Sequence, residues 1–306
     1  MADSGIQIEH LLKSYGSNAV LRDVSLTIPA GQTFALLGRN GAGKTTMIRI
    51  LLGLISADSG SCQLGGTDPA KDPLRVRRQV GYLAEDQSMY GWMTASELCR
   101  FLEPFYPDWD QDLARSYLER FEIPLHTRIR RLSKGQTVQL GLVAALAHHP
   151  KIVILDDPTL GLDVIARKEF NRDLVEHLQS TGCTVLYSSH LLDEVEAVAD
   201  AVAILDQGRI VRTGTTERLR DEIKQFVVTA DRLAGMHKPV GLLDVRQLED
   251  RLVLTVDQAD SFQQRLTADG IDHEVLDLSL DEIFQAYVIG RQRDWPERAP
   301  NSMVPA

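Results

Sequence analysis

The chain has 306 residues, 43% of them hydrophobic and 25% charged, which is ordinary for a soluble globular protein with one or two domains. Its formal net charge of −10 argues against a nucleic-acid-binding surface, so no nucleic acid is expected as a partner. No apolar run is long enough to span a bilayer, so a role at a membrane requires another chain to hold this one there.

Two short strand-like runs, Gln7–Leu11 and Val20–Leu26, open the chain. A mostly apolar run, Thr33–Leu37, is typical of a buried parallel strand. The Gly-rich segment Gly38–Thr46 follows it, and the next residues, Met47–Leu52, have the pattern of a helix. Strand, Gly-rich loop and helix form the context that the phosphate-loop pattern G-x-x-x-x-G-K-[ST] requires.

The chemistry of this loop predicts a site for nucleotide phosphates and Mg²⁺. Glycines can take backbone angles closed to other residues, and they lack the Cβ that would block a phosphate. The loop amides and the helix N-terminus then point at negative charge. We expect Lys44 to neutralise the β- and γ-phosphates and the Thr45 hydroxyl to hold Mg²⁺. The predicted nucleotide-binding residues of the loop are Gly38, Arg39, Asn40, Gly41, Ala42, Gly43, Lys44, Thr45 and Thr46.

A helical insertion over about residues 86–149 follows a strand that ends near Glu85. Three helices are predicted within it, over Ala95–Phe105, from Asp110 onward and over Gly135–His149. Two of them begin with capping-box patterns, which are Thr94 with Glu97 and Ser133 with Gln136.

The fully apolar run Ile152–Leu155 ends in Asp156 and Asp157, which predicts another central parallel strand. A carboxylate at the carboxyl end of a strand beside the phosphate loop can hold Mg²⁺, and we expect Asp156 to do so. Asp157 is then expected to face the attacking water. Apolar strands and helices alternate along this half of the chain, which predicts an α/β fold with a parallel sheet wrapped by helices.

The pattern changes after Glu222, which predicts a domain boundary there. Residues 1–222 are expected to form the nucleotide-binding domain. Residues 223–290 have the strand and helix pattern of a small accessory α+β domain. The tail 291–306 contains three prolines and is expected to be disordered.

The segment Leu132–Gln136, with the sequence Leu-Ser-Lys-Gly-Gln, resembles the signature motif of ATP-binding cassette (ABC) ATPases. Other motifs of that family occur in the family's order over about Gln7–Arg220. They are Tyr15 for the aromatic that stacks on adenine, Glu85 for the Q-loop glutamine, Leu160–Asp163 for the D-loop, and His190 for the switch histidine. This combination is far more specific than any one motif.

The resemblance implies a P-loop ABC cassette with a mainly parallel core sheet, an antiparallel N-terminal sheet and a helical insertion. Two cassettes close head to tail, and each ATP lies between the phosphate loop of one and the signature motif of the other. The family's nucleotide contacts outside the phosphate loop fall on Tyr15, Ser133, Gly135, Gln136 and Asp163. The implied metal ligands are Thr45, Glu85 and Asp156, and the implied catalytic residues are Asp157 and His190.

Three residues depart from the family pattern. Lys134 replaces the first of two signature glycines, and it either tightens ATP in the closed dimer or is only a solvated side chain. Glu85 replaces a neutral glutamine, although a carboxylate there can still ligate Mg²⁺. Asp157 stands where the family usually has a glutamate base, which predicts slow hydrolysis rather than lost ATP binding.

Three features look like those of bacterial ABC-2-type exporters. They are the lone cassette, the segment Gly81–Glu85 and the C-terminal segment Asp281–Phe284. This narrower resemblance implies a separately encoded integral-membrane transporter subunit, and a second cassette that is either a copy of this chain or a paralogue. It also implies a cytoplasmic position on the inner face of the cell membrane. The segment Asp86–Met93, with Met89, Tyr90 and Trp92, either touches the membrane subunit or packs under the insertion.

Two alternatives stay open on the sequence alone. One is a soluble ABC ATPase acting on DNA or ribosomes, which the absence of long coiled coils, of a second cassette and of a basic linker disfavours. The other is a regulatory nucleotide-binding module that hardly hydrolyses ATP, which Asp157 favours. A small-molecule kinase is disfavoured, because the signature motif and the D-loop would have no role in it.

Overall fold

The computed structural model describes residues 4–189, 195, 196, 198–233 and 236–290, with the backbone alone for residue 4 and residues 176–180. His190 and the tail 291–306 therefore lie outside the described residues. The chain divides into two compact units, Met1–Thr213 and Gly214–Ala306.

The strands of the first unit are β1 (Ser4–Tyr15), β2 (Asn18–Pro29), β3 (Thr33–Leu37), β4 (Ser59–Leu64), β5 (Val80–Leu83), β6 (Ile152–Asp156), β7 (Thr184–Ser189) and β8 (Ala201–Asp206), and β9 (Arg209–Thr215) begins in this unit and ends just past the boundary. Its helices are α1 (Lys44–Leu51), α2 (Pro73–Gln79), α3 (Ala95–Leu102), α4 (Gln111–Arg120), α5 (Lys134–Leu146) and α6 (Val164–Thr181). Short 3-10 helices cover Glu103–Phe105 and Ile129–Arg131.

The central sheet of this unit has six strands in the order β5-β6-β7-β3-β8-β9. The pairs β5 with β6, β6 with β7, β7 with β3 and β3 with β8 are parallel. Strands β3, β6 and β7 are buried along their whole lengths, as their continuous apolar or small residues require. Parallel pairing brings the carboxyl ends of these strands to one edge, where the phosphate loop and Asp156 also lie.

A second sheet, with the order β2-β1-β4, is antiparallel. Helix α1 packs between the two sheets, because its buried Met47 and Ile48 share a hydrophobic core with Ile8 of β1, Leu36 of β3 and Ile154 of β6. This core holds α1, and with it the phosphate loop, between two layers of strands.

Two helices of the insertion begin at the caps that the sequence predicts. Both predicted capping boxes form, at the N-termini of α3 and α5. The Asp110 carboxylate accepts hydrogen bonds from the backbone N–H groups of Asp112 and Leu113 at the start of α4. The helix predicted to reach Phe105 instead ends at Leu102, and a 3-10 helix containing Pro104 follows, because proline cannot donate the next helical hydrogen bond.

The second unit contains α7 (Thr216–Glu222), β10 (Ile223–Thr229), β11 (Leu242–Leu248), β12 (Arg251–Asp257), α8 (Ala259–Ala268), β13 (His273–Leu276) and α9 (Leu280–Ile289). Its antiparallel sheet has the order β11-β12-β10-β13, which is the strand order of a ferredoxin-like split βαβ arrangement. A 3-10 helix, Ala230–Leu233, stands at the place of the first helix of that arrangement. Phe226 and Phe262 pack edge to face across its core, with ring centroids 5.0 Å apart.

The boundary between the units falls earlier than the sequence predicts, at 213/214 rather than 222/223. Helix α7 belongs to the second unit, because it contacts β10, α8 and α9. Its cap, in which the Thr215 hydroxyl accepts a hydrogen bond from the Arg218 N–H, is a local signal that the sequence reading left unused. The start of α2 carries a second local signal that was not used, because Asp72 caps this helix and Pro73 is its first residue.

Within the part of the chain that the structure describes, no helix combines the length and the apolar character needed to cross a bilayer.

Candidate nucleotide-binding site

The phosphate loop connects β3 to α1 over six residues, 38–43. The N-cap residue of α1 is Gly43, and no side chain caps this helix end. The first backbone N–H groups of a helix have no intrahelical acceptor, so they are available to an anion. Close packing and a backbone conformation dictate glycine at two positions of the loop. A Cβ on Gly38 would lie 2.7 Å from the Leu205 carbonyl oxygen, and Gly43 has a φ of 111° with Leu21 2.8 Å from where its Cβ would be.

The loop opens onto a cavity of about 470 Å³, which we call the phosphate-loop pocket. Its lining comes from the loop, the start of α1, the N-terminal sheet and the ends of two central strands. The lining residues are Asn18, Val20, Arg39, Asn40, Gly41, Gly43, Lys44, Thr45, Thr46, Glu85 and Asp157. The structure therefore brings most of the predicted phosphate-loop residues together with Glu85 and Asp157.

Lys44 is the buried cation of this pocket, with 5% of its surface exposed. Its Nζ donates a hydrogen bond to the Gly38 carbonyl oxygen at 2.8 Å and lies 3.4 Å from Asp157 Oδ2. The ammonium is thus held at the mouth of the loop by one neutral and one charged acceptor. A phosphate bound in the pocket can take the place of either acceptor.

Asp156 ends β6 directly behind the pocket and is almost fully buried. Its Oδ1 accepts a hydrogen bond of 2.7 Å from the Ser188 hydroxyl. Its Oδ2 is buried and, among the described residues, has no hydrogen-bond partner. Burial raises the pKa of this carboxyl above its ordinary value, and the Ser188 hydroxyl and the nearby Thr45 hydroxyl oppose that shift. A buried carboxylate oxygen without a donor, next to a threonine hydroxyl, fits a hard cation such as Mg²⁺.

Asp157 has an unusual backbone for a non-glycine residue, with a φ of 42°. Its N–H is donated to both the carbonyl oxygen and the hydroxyl oxygen of Ser188, each at 3.1 Å. This clamp turns the Asp157 side chain into the phosphate-loop pocket, where it meets Lys44. Ser188 thereby supports both aspartates, by donating to one side chain and accepting from the backbone of the other.

Tyr15 and His190 are two further residues that the sequence predicts at the nucleotide, and neither is among the residues that line this pocket in the described part of the chain. Tyr15 ends β1 and is half exposed; it does not line the pocket, but it pairs in register with Asn18, which does. Its ring centroid lies 5.6 Å from Lys13 Nζ. His190 lies outside the described residues, so its implied catalytic role stays a prediction.

The signature segment lines a separate cavity of about 290 Å³, the signature pocket, together with the D-loop and the start of α6. The Ser133 hydroxyl oxygen accepts the Gln136 N–H, and Gln136 Oε1 accepts the Ser133 N–H, both at 3.1 Å. Because this hydroxyl accepts from the backbone, its own proton stays available to donate. Asp163 Oδ1 caps α6 by accepting from the N–H groups of Ile165 and Ala166. Ser133, Gly135, Gln136 and Asp163 line this second pocket and not the phosphate-loop pocket.

An exposed group of aromatic rings, the aromatic patch, lies on the insertion. It consists of Tyr90, Trp92, Phe101 and Phe105, whose exposed fractions run from 38% to 63%. Neighbouring rings are in contact, with centroid distances of 6.0 Å for Tyr90 to Trp92 and 5.4 Å for both Tyr90 to Phe101 and Phe101 to Phe105. Met89 differs from these rings, because it is half-buried and its Cε approaches Gly141 of α5.

Ser188 and Asn18 belong to the site although no sequence motif includes them. A signal for Ser188 was present, since it is a polar residue near the carboxyl end of an otherwise apolar strand that pairs with the Asp156 strand. Asn18 reaches the pocket only because β1 and β2 form a hairpin next to α1, and nothing local in the sequence marks it.

Comparison with known proteins gives consistent similarities. A family model described as "ABC transporter" matches residues 21–160. The chain is 30% identical to the ABC transporter ATP-binding protein YtrB of Bacillus subtilis, over 94% of this chain and 99% of that protein. It is 31% identical to the daunorubicin resistance ATP-binding protein DrrA3 of Streptomyces coeruleorubidus, over 93% and 96% of the two chains. A solved structure of the ATP-binding subunit of an ABC transporter matches with a TM-score of 0.64 and 29% identity, over 71% of this chain and 92% of that one. These similarities confirm the predicted fold and the predicted family resemblance.

The buried Asp156 carboxyl generates a prediction about stability. The folded state favours the protonated form of Asp156, because burial raises the pKa of this carboxyl. The contribution of this group to the free energy of unfolding is therefore full below its pKa in the unfolded chain, and it is lost as the pH rises through its pKa in the folded protein. Asp156→Asn should therefore raise the melting temperature at pH 7, and the gain should shrink as the pH falls toward 4. Thermal unfolding followed by circular dichroism at several pH values measures this. A variant that is less stable at every pH would mean that the Ser188 hydrogen bond outweighs the cost of burial.

Proposed function

This chain belongs to the ABC transporter family, and from this premise we propose that it is the ATP-binding and ATP-hydrolysing subunit that powers a membrane transporter. The subfamily resemblance favours export. The observation that carries the proposal is the division of the site into two pockets. The phosphate-loop pocket holds the groups for the β- and γ-phosphates, whereas the signature Ser133 lies in a pocket of its own. Each pocket is half of an ATP site that a second cassette completes.

The residues of the phosphate-loop pocket suit Mg-ATP. The loop amides and Lys44 bind the phosphates, and the Thr45 hydroxyl and the orphaned Oδ2 of Asp156 suit the metal, with Glu85 at the pocket edge. Bound Mg²⁺ supplies positive charge where negative charge develops on the transferred phosphoryl group. Tyr15 is the proposed contact with the adenine, and its support is that its partner in the β1–β2 register, Asn18, lines the pocket.

ATP then acts as part of the interface between two cassettes. Ser133 keeps a donor proton at the N-terminus of α5, and a helix N-terminus favours an anion. The γ-phosphate of the partner's ATP fits this position. Binding therefore closes the pair, and hydrolysis removes the γ-phosphate and opens it. The second cassette is a copy of this chain or a paralogue.

Asp157 is the proposed general base, supported by His190. The Ser188 clamp and the Lys44 contact hold its carboxylate at the pocket wall. Aspartate is shorter than glutamate by one C–C bond, about 1.5 Å, so in an unaltered backbone it stops short of the water that a glutamate would reach. We therefore expect slow hydrolysis. This same residue supports the second candidate function, a regulatory module in which ATP binding matters more than turnover.

The aromatic patch is the proposed contact with a separately encoded membrane subunit. Its exposed rings give the insertion an apolar surface of the kind that marks protein interaction sites. Aromatic residues also supply a large share of binding energy at interfaces. A subunit held in this way is peripheral on the inner face of the cell membrane.

Lys44→Ala tests nucleotide binding. Removing the ammonium from the β- and γ-phosphates should weaken ATP binding by at least about tenfold, because charge-assisted contacts to phosphate are among the strongest in proteins. Titration with fluorescent ATP measures the affinity, and an ATPase assay should lose its signal in parallel. Lys71→Ala, in an exposed loop outside the pocket, is the control. An unchanged affinity for Lys44→Ala would remove the loop from the proposal.

Asp157 substitutions test the proposed base. Asp157→Glu should raise kcat several-fold with little change in ATP affinity. Asp157→Asn should abolish most turnover, by up to roughly 10²–10⁴-fold, and should accumulate an ATP-bound dimer. Steady-state phosphate release and sedimentation on the three proteins measure these outcomes. Wild-type turnover in Asp157→Asn would assign the base to another residue, and a low rate in the wild type and in both variants would favour the regulatory module.

Trp92→Ala tests the membrane contact. Losing the most exposed ring of the patch should cost about 2 kcal/mol of binding and reduce the share of the chain that sediments with membranes of its native host. Leu74→Ala is a matched control, since Leu74 on α2 is 62% exposed and Trp92 is 63% exposed. ATP binding should be unchanged in both variants. If equal shares of the two variants sediment with the membranes, the contact with the membrane subunit does not involve the aromatic patch.

A further inference from the structure

Lys134 occupies a position that helix physics disfavours. It is the first residue of α5, directly after the N-cap Ser133, and the first turn contains no acidic residue. The N-terminus of a helix carries partial positive charge, so a cation there is repelled, whereas an anion is attracted. A residue that breaks such a local rule without an evident structural gain marks a functional position.

The Lys134 side chain folds toward the D-loop. A Cβ built on Gly161 would overlap the Lys134 ammonium, so the glycine leaves the space in which Nζ lies. Gly161 also has a φ of 76°, which favours glycine on backbone grounds. The ammonium therefore lies between the two chain segments that line the signature pocket.

No carboxylate neutralises this ammonium within the described part of the chain, because no ion pair of 4.0 Å or less involves Lys134 there. Two carboxylates, those of Asp163 and Glu169, line the same pocket. Asp163 Oδ1 is engaged in capping α6. The Lys134 ammonium and the N-terminus of α5 thus present positive charge side by side at one wall of the signature pocket, in which Asp163 and Glu169 also lie.

We propose that Lys134 is a second phosphate-binding group of the signature half-site, so that it sets how tightly ATP closes the cassette pair. This inference rests on the proposed function, because the phosphate it contacts belongs to ATP held by the partner cassette. A lysine is a point charge on a flexible four-carbon stem, so it can leave Gly161 and reach a phosphate that approaches Ser133. The anion removes the repulsion between Lys134 and the helix end, because it is attracted to both.

The inference predicts a specific pattern of dimerisation. The ATP concentration for half-maximal dimer should rise about tenfold in Lys134→Gln, since charge-assisted contacts are lost at both sites of a symmetric pair. The difference should narrow between about 0.1 M and about 1 M NaCl, where the Debye length falls from about 10 Å to about 3 Å. ATP affinity of the monomer should stay unchanged, because Lys134 does not line the phosphate-loop pocket.

Sedimentation velocity with Mg-ATP tests these expectations, with Asp157→Asn in every protein so that hydrolysis does not open the dimer. Lys71→Gln is the matched control, since it makes the same charge change outside both pockets. Lys134→Arg keeps the charge and should dimerise within about twofold of the parent, which separates charge from a folding defect.

The outcomes distinguish the two proposals. Equal ATP requirements for Lys134→Gln and the parent at low salt would overturn the role of Lys134 and leave the proposed function standing. A salt-independent loss of dimer that Lys134→Arg shares would also overturn it, because packing rather than charge would then be responsible. A parent protein that binds ATP and stays monomeric at every ATP concentration would instead contradict a site built from two copies of this chain, and with it the symmetric pair in which Lys134 is proposed to act.

Discussion

The parallel pairing of β6, β7 and β3 is the constraint on which the site depends. It places the ends of three buried strands side by side, so that the phosphate loop, Asp156 and Ser188 meet at one edge without any long connection between them. The register pairs Asp156 with Ser188 directly. A shift by one residue would move Ser188 away from both aspartates, and the backbone of Asp157 would lose the acceptors that hold its positive φ.

Ser188 couples the groups that meet at this edge of the sheet, because it hydrogen-bonds to more than one of them. It donates to the side chain of Asp156, the proposed metal ligand, and accepts from the N–H of Asp157, the proposed general base. The Lys44 contact with Asp157 adds a third member that a phosphate can take over. Because the groups share partners, replacing one of them changes the surroundings of the others, and effects of substitutions here should not add.

Local signals in the sequence predicted the parts of the fold that local physics decides. The phosphate loop, both capping boxes of the insertion and the buried β6 strand follow from glycine, cap and hydrophobic patterns that need no distant partner. The parts that were missed depend on pairing between distant residues. Asn18 lines the pocket because of the geometry of the β1–β2 hairpin. Helix α7 belongs to the second unit because of the elements it packs against, so the boundary between the units lies earlier in the chain than predicted. Lys134 was visible as a departure from the family pattern, but its position against Gly161 required the fold.

The orphaned Oδ2 of Asp156 also bears on how long the protein survives. This buried carboxylate oxygen has no donor among the described residues, which lowers the stability of the free protein, and on the proposed function a bound metal-nucleotide complex removes that cost. A ligand that binds only the folded state adds RT ln(1 + [L]/Kd) to the free energy of unfolding. On the proposed function, nucleotide supply therefore governs resistance to proteolysis as well as transport. Energy-starved cells should clear this subunit faster than well-supplied ones, even at constant synthesis.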